Sequence, residues 1–170
     1  MSFDALARLS GVSKGALVQI EQDKANPSIS TLCRVAAALG VSVADLVAPA
    51  DDARRAVQVV AAGEAKLLWS GPKGGKAVLL AGTPGADMLE LWHWELMPGE
   101  RFEATPHSRG TREIIHVTSG KLSLEVEGKT ALIARGATAI ALTDRPHAYL
   151  NSGRSPVAFT MTVHEPPAAP

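Results

Sequence analysis

Residues 107–120 read HSRGTREIIHVTSG, and after the Ser119-Gly120 pair the chain restarts as KLSLEVEGK at 121–129. In that second run Leu122, Leu124 and Val126 fall on one side of a strand and Ser123, Glu125 and Glu127 on the other. This is the period-2 alternation of a strand with one buried face. A Ser-Gly turn between two such arms predicts a β-hairpin, with His107, Glu113 and His116 on or just before one rigid arm. Parity separates these three. Glu113 shares a face with Ile115 and Val117, whereas Ile114 and His116 take the other, so His116 is expected outside the core.

Working outward, short strand-like runs continue on both sides: AVQVVAA, AKLLWS, KAVLLAG, DMLELWHWELM, EIIHVTS, KLSLEVEG, TALIAR, TAIALTD, HAYLNS and PVAFTMTVHE. Turn signals such as Gly71-Pro72, Pro98-Gly99 and Ser152-Gly153 separate them. Many short strands with regular turns, uninterrupted by helical periodicity, predict an all-β sandwich or barrel rather than a parallel α/β sheet. In one of the later runs His147, Tyr149 and Asn151 share a parity. Trp92 and Trp94 share another, and with Trp69 are expected to fill the core.

Before residue 50 the composition is different, rich in Ala, Leu and Ser. Ser2 is placed to cap a helix running to about Leu9, with Phe3, Leu6 and Leu9 on its apolar face, and Gly11 to end it. Ser13 caps a second helix that buries Leu17 and Ile20 and turns Lys14, Gly15, Val18 and Gln19 outward. Two short helices joined by a tight Gly turn form the helix-turn-helix signal. Ser28 or Ser30 caps a third helix with an apolar stripe of Ile29, Leu32, Ala36 and Leu39. Gly40 ends it, and Ser42 caps a short VADLV helix. Cys33 reads as a small buried hydrophobe. These signals divide the chain into a helical part at 1–48, a polar linker at 49–55, a β part at 56–165 and a disordered tail at 166–170.

The 170 residues carry 17 Lys and Arg against 17 Asp and Glu, so bulk basicity does not argue for nucleic acid. A lone cysteine excludes a disulfide framework and a cysteine-based zinc site within one chain. No apolar run reaches the roughly 18 residues of a membrane span, and the N-terminus lacks a signal-peptide pattern, so a cytoplasmic, membrane-free protein is expected.

The order A-L-A, S-G-V-S, I-E-Q, N-P-S and A-L-G-V over about the first 47 residues resembles the DNA-binding domain of XRE (Cro/CI-type) repressors, with that family's usual first helix missing. The resemblance makes residues 13–22 a recognition helix entering the major groove of an operator. Lys14 and Gln19 are then the base-edge readers, Gly15 and Val18 allow close approach and touch thymine methyls, and Ser13 and Asn26 contact phosphate. In this segment Arg8, Lys14, Lys24 and Arg34 are balanced by Asp4, Glu21, Asp23 and Asp45. Weak DNA binding is expected of the chain as it stands, because phosphate contacts supply much of the affinity.

The β part resembles the cupins, small jelly-roll barrels. His107, Glu113 and Gly120 follow the spacing of that family's first motif, with Arg109 where a second His is usual. Gly136, His147 and Asn151 follow the second motif, in which Leu142 and Asp144 depart from the pattern. The resemblance implies His107, Glu113 and His147 as ligands of one divalent, zinc-like metal with water in an open position. Without a metal, it implies a polar pocket in which Arg109 clamps a carboxylate with Tyr149 and Asn151 nearby. Together the two halves predict a non-enzymatic, homodimeric, DNA-binding transcriptional regulator whose cupin binds a small-molecule effector, a metal or both. The alternative is a metal-dependent cupin enzyme, an isomerase or dioxygenase, with a vestigial N-terminal segment.

Overall fold

The computed structural model describes residues 1–22, 24–47, 57–85 and 87–167. The expected linker at 49–55 and the last tail residues, 168–170, lie outside the described residues. Four helices come first: α1 Phe3–Ser10, α2 Lys14–Glu21, α3 Ile29–Leu39 and α4 Val43–Val47. Each start is fixed by a hydroxyl side chain that satisfies an otherwise unpaired N–H. Ser2, Ser13 and Ser28 accept from Ala5, Ala16 and Thr31, so Ser28 rather than Ser30 caps α3. At α4 the Ser42 hydroxyl accepts from the Asp45 N–H while Asp45 Oδ2 accepts from the Ser42 N–H, both at 2.9 Å, as a reciprocal capping box.

Two apolar assignments from the sequence are corrected. Leu9 is 59% exposed and Leu39 38% exposed. In α1, steps of exactly three residues drift off a 3.6-residue helix, so Ala7 with Ser10 take the inward places instead; in α3, Ile29, Leu32 and Ala36 are buried as expected, and Leu39, the last residue before the Gly40 cap, is left partly exposed. Val12, Leu17 and Val35 form the small core of the helical head, covered by Phe3, Leu6 and Leu46.

Ten strands follow: β1 Lys66–Ser70, β2 Lys76–Gly82, β3 Met88–Leu96, β4 Arg101–Ala104, β5 Arg112–Ser119, β6 Lys121–Val126, β7 Lys129–Ala134, β8 Thr138–Leu142, β9 His147–Leu150 and β10 Val157–Glu165. They build two antiparallel sheets, ordered β1-β2-β3-β10-β5-β8 and β4-β9-β6-β7, packed face to face as a jelly roll. The run AVQVVAA is not a strand among its described residues, and Val57 and Val59 are 76% and 81% exposed. Its alternation has no ladder to join, since the larger sheet ends at β1. The short strand β4 was missed because four residues between a Pro-Gly turn and Pro106 carry too little periodicity to read.

Trp94 is the hub of the barrel core. Its ring stacks on Phe159 at 5.9 Å and 3°, and meets Phe102 edge-on at 4.8 Å and Tyr149 at 5.4 Å. The core does not stop at the barrel. Ile29, Leu32 and Ala36 of α3 and Val43 and Ala44 of α4 belong to the same buried cluster as Trp92, Met161 and Val163. Polar bonds pin the contact: Gly85 N donates to Asp45 Oδ2 at 2.9 Å, and Ala44 N to the buried Glu90 Oε1 at 3.3 Å. A side chain at Gly82 has no room, because its Cβ would stand 2.4 Å from that of Ala44.

Gly120 joins β5 to β6 at φ +72°, where an added Cβ meets Pro156 O at 2.7 Å and Val157 Cγ2 at 2.9 Å. Gly128 has nearly the same φ, +74°, with open space around it. Left-handed backbone costs an L-residue about 1–2 kcal/mol by itself. Gly128→Ala is therefore expected to lose about that much stability in urea denaturation and Gly120→Ala distinctly more. Equal losses would show that the close packing at Gly120 does not matter.

Candidate functional site

The site forms where the two sheets meet under α3. Glu113, second in β5, comes from the larger sheet; His147 and Tyr149, in β9, come from the smaller one, and His107 from the segment between β4 and β5. Glu113 is completely buried, and His147 and Tyr149 nearly so. The ligating atoms of His107, Glu113 and His147 all lie within 4.8 Å of one another. Glu113 Oε1 stands 3.5 Å from His107 Nε2 and 3.6 Å from His147 Nε2, ion-pair rather than hydrogen-bond distances.

The surrounding bonds decide what each atom can do. The Tyr149 hydroxyl donates to Glu113 Oε2 at 2.5 Å. Arg145 O lies 2.8 Å from His147 Nδ1, so the Nδ1–H is used there and Nε2 keeps its lone pair for the site. This leaves Glu113 Oε1 and His147 Nε2 buried with no hydrogen-bond partner among the described residues. Buried polar atoms are seldom left unpaired, and a bound ion is one of the explanations. The donor set fits a metal: two imidazole nitrogens and one carboxylate oxygen are ordinary zinc ligands. Bonds of about 2.1 Å in a tetrahedron separate ligands by about 3.4 Å, close to the spacings around Glu113 Oε1.

Charge in the site is arranged in opposition. Burial pushes the Glu113 carboxyl up, but His107 and His147 outweigh it and hold it at about 2. Burial pushes His107 down, and the Glu113 carboxylate outweighs this, so its value is raised. Tyr149 is raised well above its ordinary value by burial and by the Glu113 charge, which keeps the phenol protonated as a donor. Glu90 is raised by burial even though Trp92 Nε1 and Ala44 N both donate to it. The Cys33 thiol is pushed up to about 12, first by burial and then by Glu90, Glu165 and Glu113.

These groups enclose a cavity with about 40 Å³ for the centres of water-sized molecules, room for an ion and a water or two. The barrel supplies Glu90, Trp94, His107, Glu113 and Tyr149; α3 supplies Ile29, Ser30 and Cys33. The residues expected at the site are thus only partly brought together. His107, Glu113, His147 and Tyr149 converge. Arg109 does not: it is exposed in the turn before β5, on the side of Asp144, which accepts from Gly110 N at 2.9 Å. Asn151 is buried but fully used, donating to Leu96 O and Ser155 O and accepting from Gly153 N, so it fastens a loop. His116 is exposed and bonded to Thr138 Oγ1. His164, in β10, bonds Asp87. Glu90 was missed although its parity with Trp92 and Trp94 points inward. Cys33, read as a buried hydrophobe, is half-buried, and nothing in a single helix tells what it packs against.

On the helical head, Lys14, Gly15 and Gln19 are exposed on α2, Val18 is half-buried, and Asn26 is exposed in the loop before α3. Ser13 uses its hydroxyl as the α2 cap, and Lys14 pairs with Asp4 at 2.9 Å at the surface. This face of α2 stays open to solvent while α3 and α4 pack on the barrel.

Comparison with known proteins agrees with this division. A helix-turn-helix family model matches residues 2–46, and a cupin domain model matches 92–163. Over 167 residues the chain is 29% identical to the HTH-type transcriptional regulator SutR of Escherichia coli K12, covering 97% of this chain and 87% of that one. The chain thus joins a helix-turn-helix domain to a cupin domain and is similar to HTH-type transcriptional regulators. The regulator is also 26% identical over 164 residues to PuuR of the same organism, covering 94% and 84% of the two chains. The crystal structure of an HTH_3 family transcriptional regulator from Vibrio cholerae superposes with a TM-score of 0.73 at 25% identity, over 98% of this chain and 88% of that one. No described helix is long and apolar enough to cross a membrane.

The paired shifts give the metal-free regulator a pH signature. Glu113, depressed from 4.5 to about 2, adds stability that is present above its unfolded value and lost as pH falls from about 4.5 towards 2. His107, raised from 6.5, adds stability that is complete below 6.5 and lost as pH rises through its folded value. In chelator-treated protein the stability difference between wild type and Glu113→Gln is therefore expected to peak between about pH 4.5 and 6.5 and to shrink on either side. A difference independent of pH would show that the ion pairs do not form.

Proposed function

We propose that this DNA-binding regulator holds a divalent, zinc-like metal on His107, Glu113 and His147, and that the metal with a small effector in the adjoining cavity sets its affinity for an operator. The observation that carries the reading is the pair of buried, unpartnered atoms, Glu113 Oε1 and His147 Nε2, pointing at one place. The ion supplies a Lewis-acid position with room for water or an effector atom. The residues around it hold that position in shape: Arg145 O orients His147 and Tyr149 fixes the second oxygen of Glu113. A cavity of this size, lined in part by α3, suits sensing better than turnover of a substrate. Arg109, turned outward, contributes to neither metal nor effector.

DNA is read by α2, with Lys14 and Gln19 at base edges and Gly15 and Val18 allowing close approach, while Ser13 and Asn26 lie against phosphate. Operation as a two-fold dimer in the cytoplasm suits paired half-sites. The outer face of the larger sheet supports this, since exposed Leu91, Ile114 and Ile140 lie along one row, with Thr162 between the first two. Rows of apolar side chains of that kind mark interaction surfaces.

Selection of bound fragments from a random DNA pool, with and without zinc, tests the reading. Sequence-specific, salt-sensitive binding that differs between the two states is expected; no specific binding in either state would refute it. On the selected site, Gln19→Ala is expected to lose about 1–3 kcal/mol of discrimination at one base position. Fluorescence anisotropy on single-base variants of that site measures it.

A further inference from the structure

A ligating side chain needs a second atom held from behind, or its ring or carboxylate turns away from the ion. Glu113 has Tyr149 on its second oxygen, and His147 has Arg145 O on its Nδ1. His107 turns Nε2 towards Glu113 Oε1 at 3.5 Å, and the group facing its Nδ1 is the carboxylate of Glu165, with Oε2 4.0 Å away. Glu165 is the last residue of β10 and pairs with Met88 of β3, so the sheet fixes its backbone. Its side chain is held as well. The hydroxyl of Ser108, next in the chain to His107, donates to Glu165 Oε1, which leaves Oε2 for the ring. Pro166 packs over the same turn: a Cβ added at Gly110 would stand 3.4 Å from its Cγ. The segment carrying His107 is tied on its other side too, with His107 N donating to Thr143 O at 3.0 Å and Thr111 Oγ1 to Ser108 O at 2.7 Å.

We propose that Glu165 is the positioning residue of His107: its Oε2 accepts the Nδ1–H, so that the imidazole presents Nε2 to the divalent ion it shares with Glu113 and His147. The proposal rests on the metal reading of the site given above. Glu165 is not itself a ligand. It lies on the Nδ1 side of the ring, and the open position of the ion stays free for water or an effector. An imidazole that ligates through Nε2 carries its remaining proton on Nδ1, and a carboxylate there fixes that tautomer and the ring orientation while raising the basicity of the ligating nitrogen. Any proton on Nε2 passes to solvent when the metal binds. The 4.0 Å between the two groups is an ion-pair distance, about 1 Å longer than a hydrogen bond. Ligation at Nε2 makes the Nδ1–H a stronger donor and favours closing that gap. Both side chains are mostly buried, so the interaction is weakly screened.

Zinc titration of the full-length chain after chelation, in competition with a chromophoric chelator, tests this together with proton NMR of the zinc-loaded protein. Glu165→Ala is expected to bind zinc roughly 10- to 100-fold more weakly than wild type, the usual cost of losing an outer-shell partner. Glu165→Gln, which keeps a carbonyl oxygen to accept the Nδ1–H, is expected to recover most of that loss. In zinc-loaded wild type the Nδ1–H protons of His107 and His147 are both expected as slowly exchanging resonances far downfield. Glu165→Ala is expected to lose the His107 resonance and keep that of His147. The wild-type spectrum is a readout that needs no variant to fold: zinc bound with the His107 Nδ1–H unprotected would overturn the role of Glu165. So would wild-type zinc affinity in Glu165→Ala, or a weakened affinity with both resonances kept, and each of these leaves the three-residue site standing. Failure of wild type to bind zinc at all would overturn both.

Discussion

A carboxylate with no exposed surface is the constraint around which the barrel is arranged. Glu113 sits in β5 with Ile115 and Val117 on the same inward face, where an isolated charge is very costly. The structure answers that cost from three directions. Tyr149 donates to one oxygen, while His107 and His147 face the other from different parts of the fold. The consequence runs both ways: Glu113 remains ionised in a core and raises His107. Among the described residues the same arrangement leaves one oxygen and one nitrogen unpaired, Glu113 Oε1 and His147 Nε2, within one candidate site.

The second organising feature is that head and barrel share a core. Ile29, Leu32, Ala36 and Ala44 pack with barrel side chains, and Glu90 and Gly82 are shaped by α4. The helix that lines the cavity, α3, is packed with the helices around α2. Coupling between an effector and DNA needs two sites and a physical connection that both can bias. Here the connection is one helix thick, and the exposed face of α2 lies free beside it.

Much of this was legible because it depends on local periodicity. Parity alone placed Glu113, Ile115 and Val117 inside and His116 outside, and put His147 and Tyr149 on one face. The serine caps and the Gly stops marked the helices almost to the residue. The errors have equally local causes. Leu9 was placed inward by a three-residue step that the helix does not keep, Leu39 by a stripe that ends at the last residue of α3, and AVQVVAA alternates like a strand without a neighbour to pair with. Arg109 occupies a ligand position in spacing only; the turn ending at Gly110, with φ +88°, carries its side chain outward.

By itself, then, the sequence determined which segments are helix and strand, which side chains face inward, and that two imidazoles and a carboxylate are candidates for one site. The first two follow from neighbours a few residues apart, and the third from the resemblance to cupins. Only the tertiary structure decided that Asn151 serves a loop, that Glu90 receives α4, and that Cys33 looks into the barrel. Each depends on how elements far apart in the chain dock, and docking is set by the shapes of two complete surfaces that no single stretch of sequence contains.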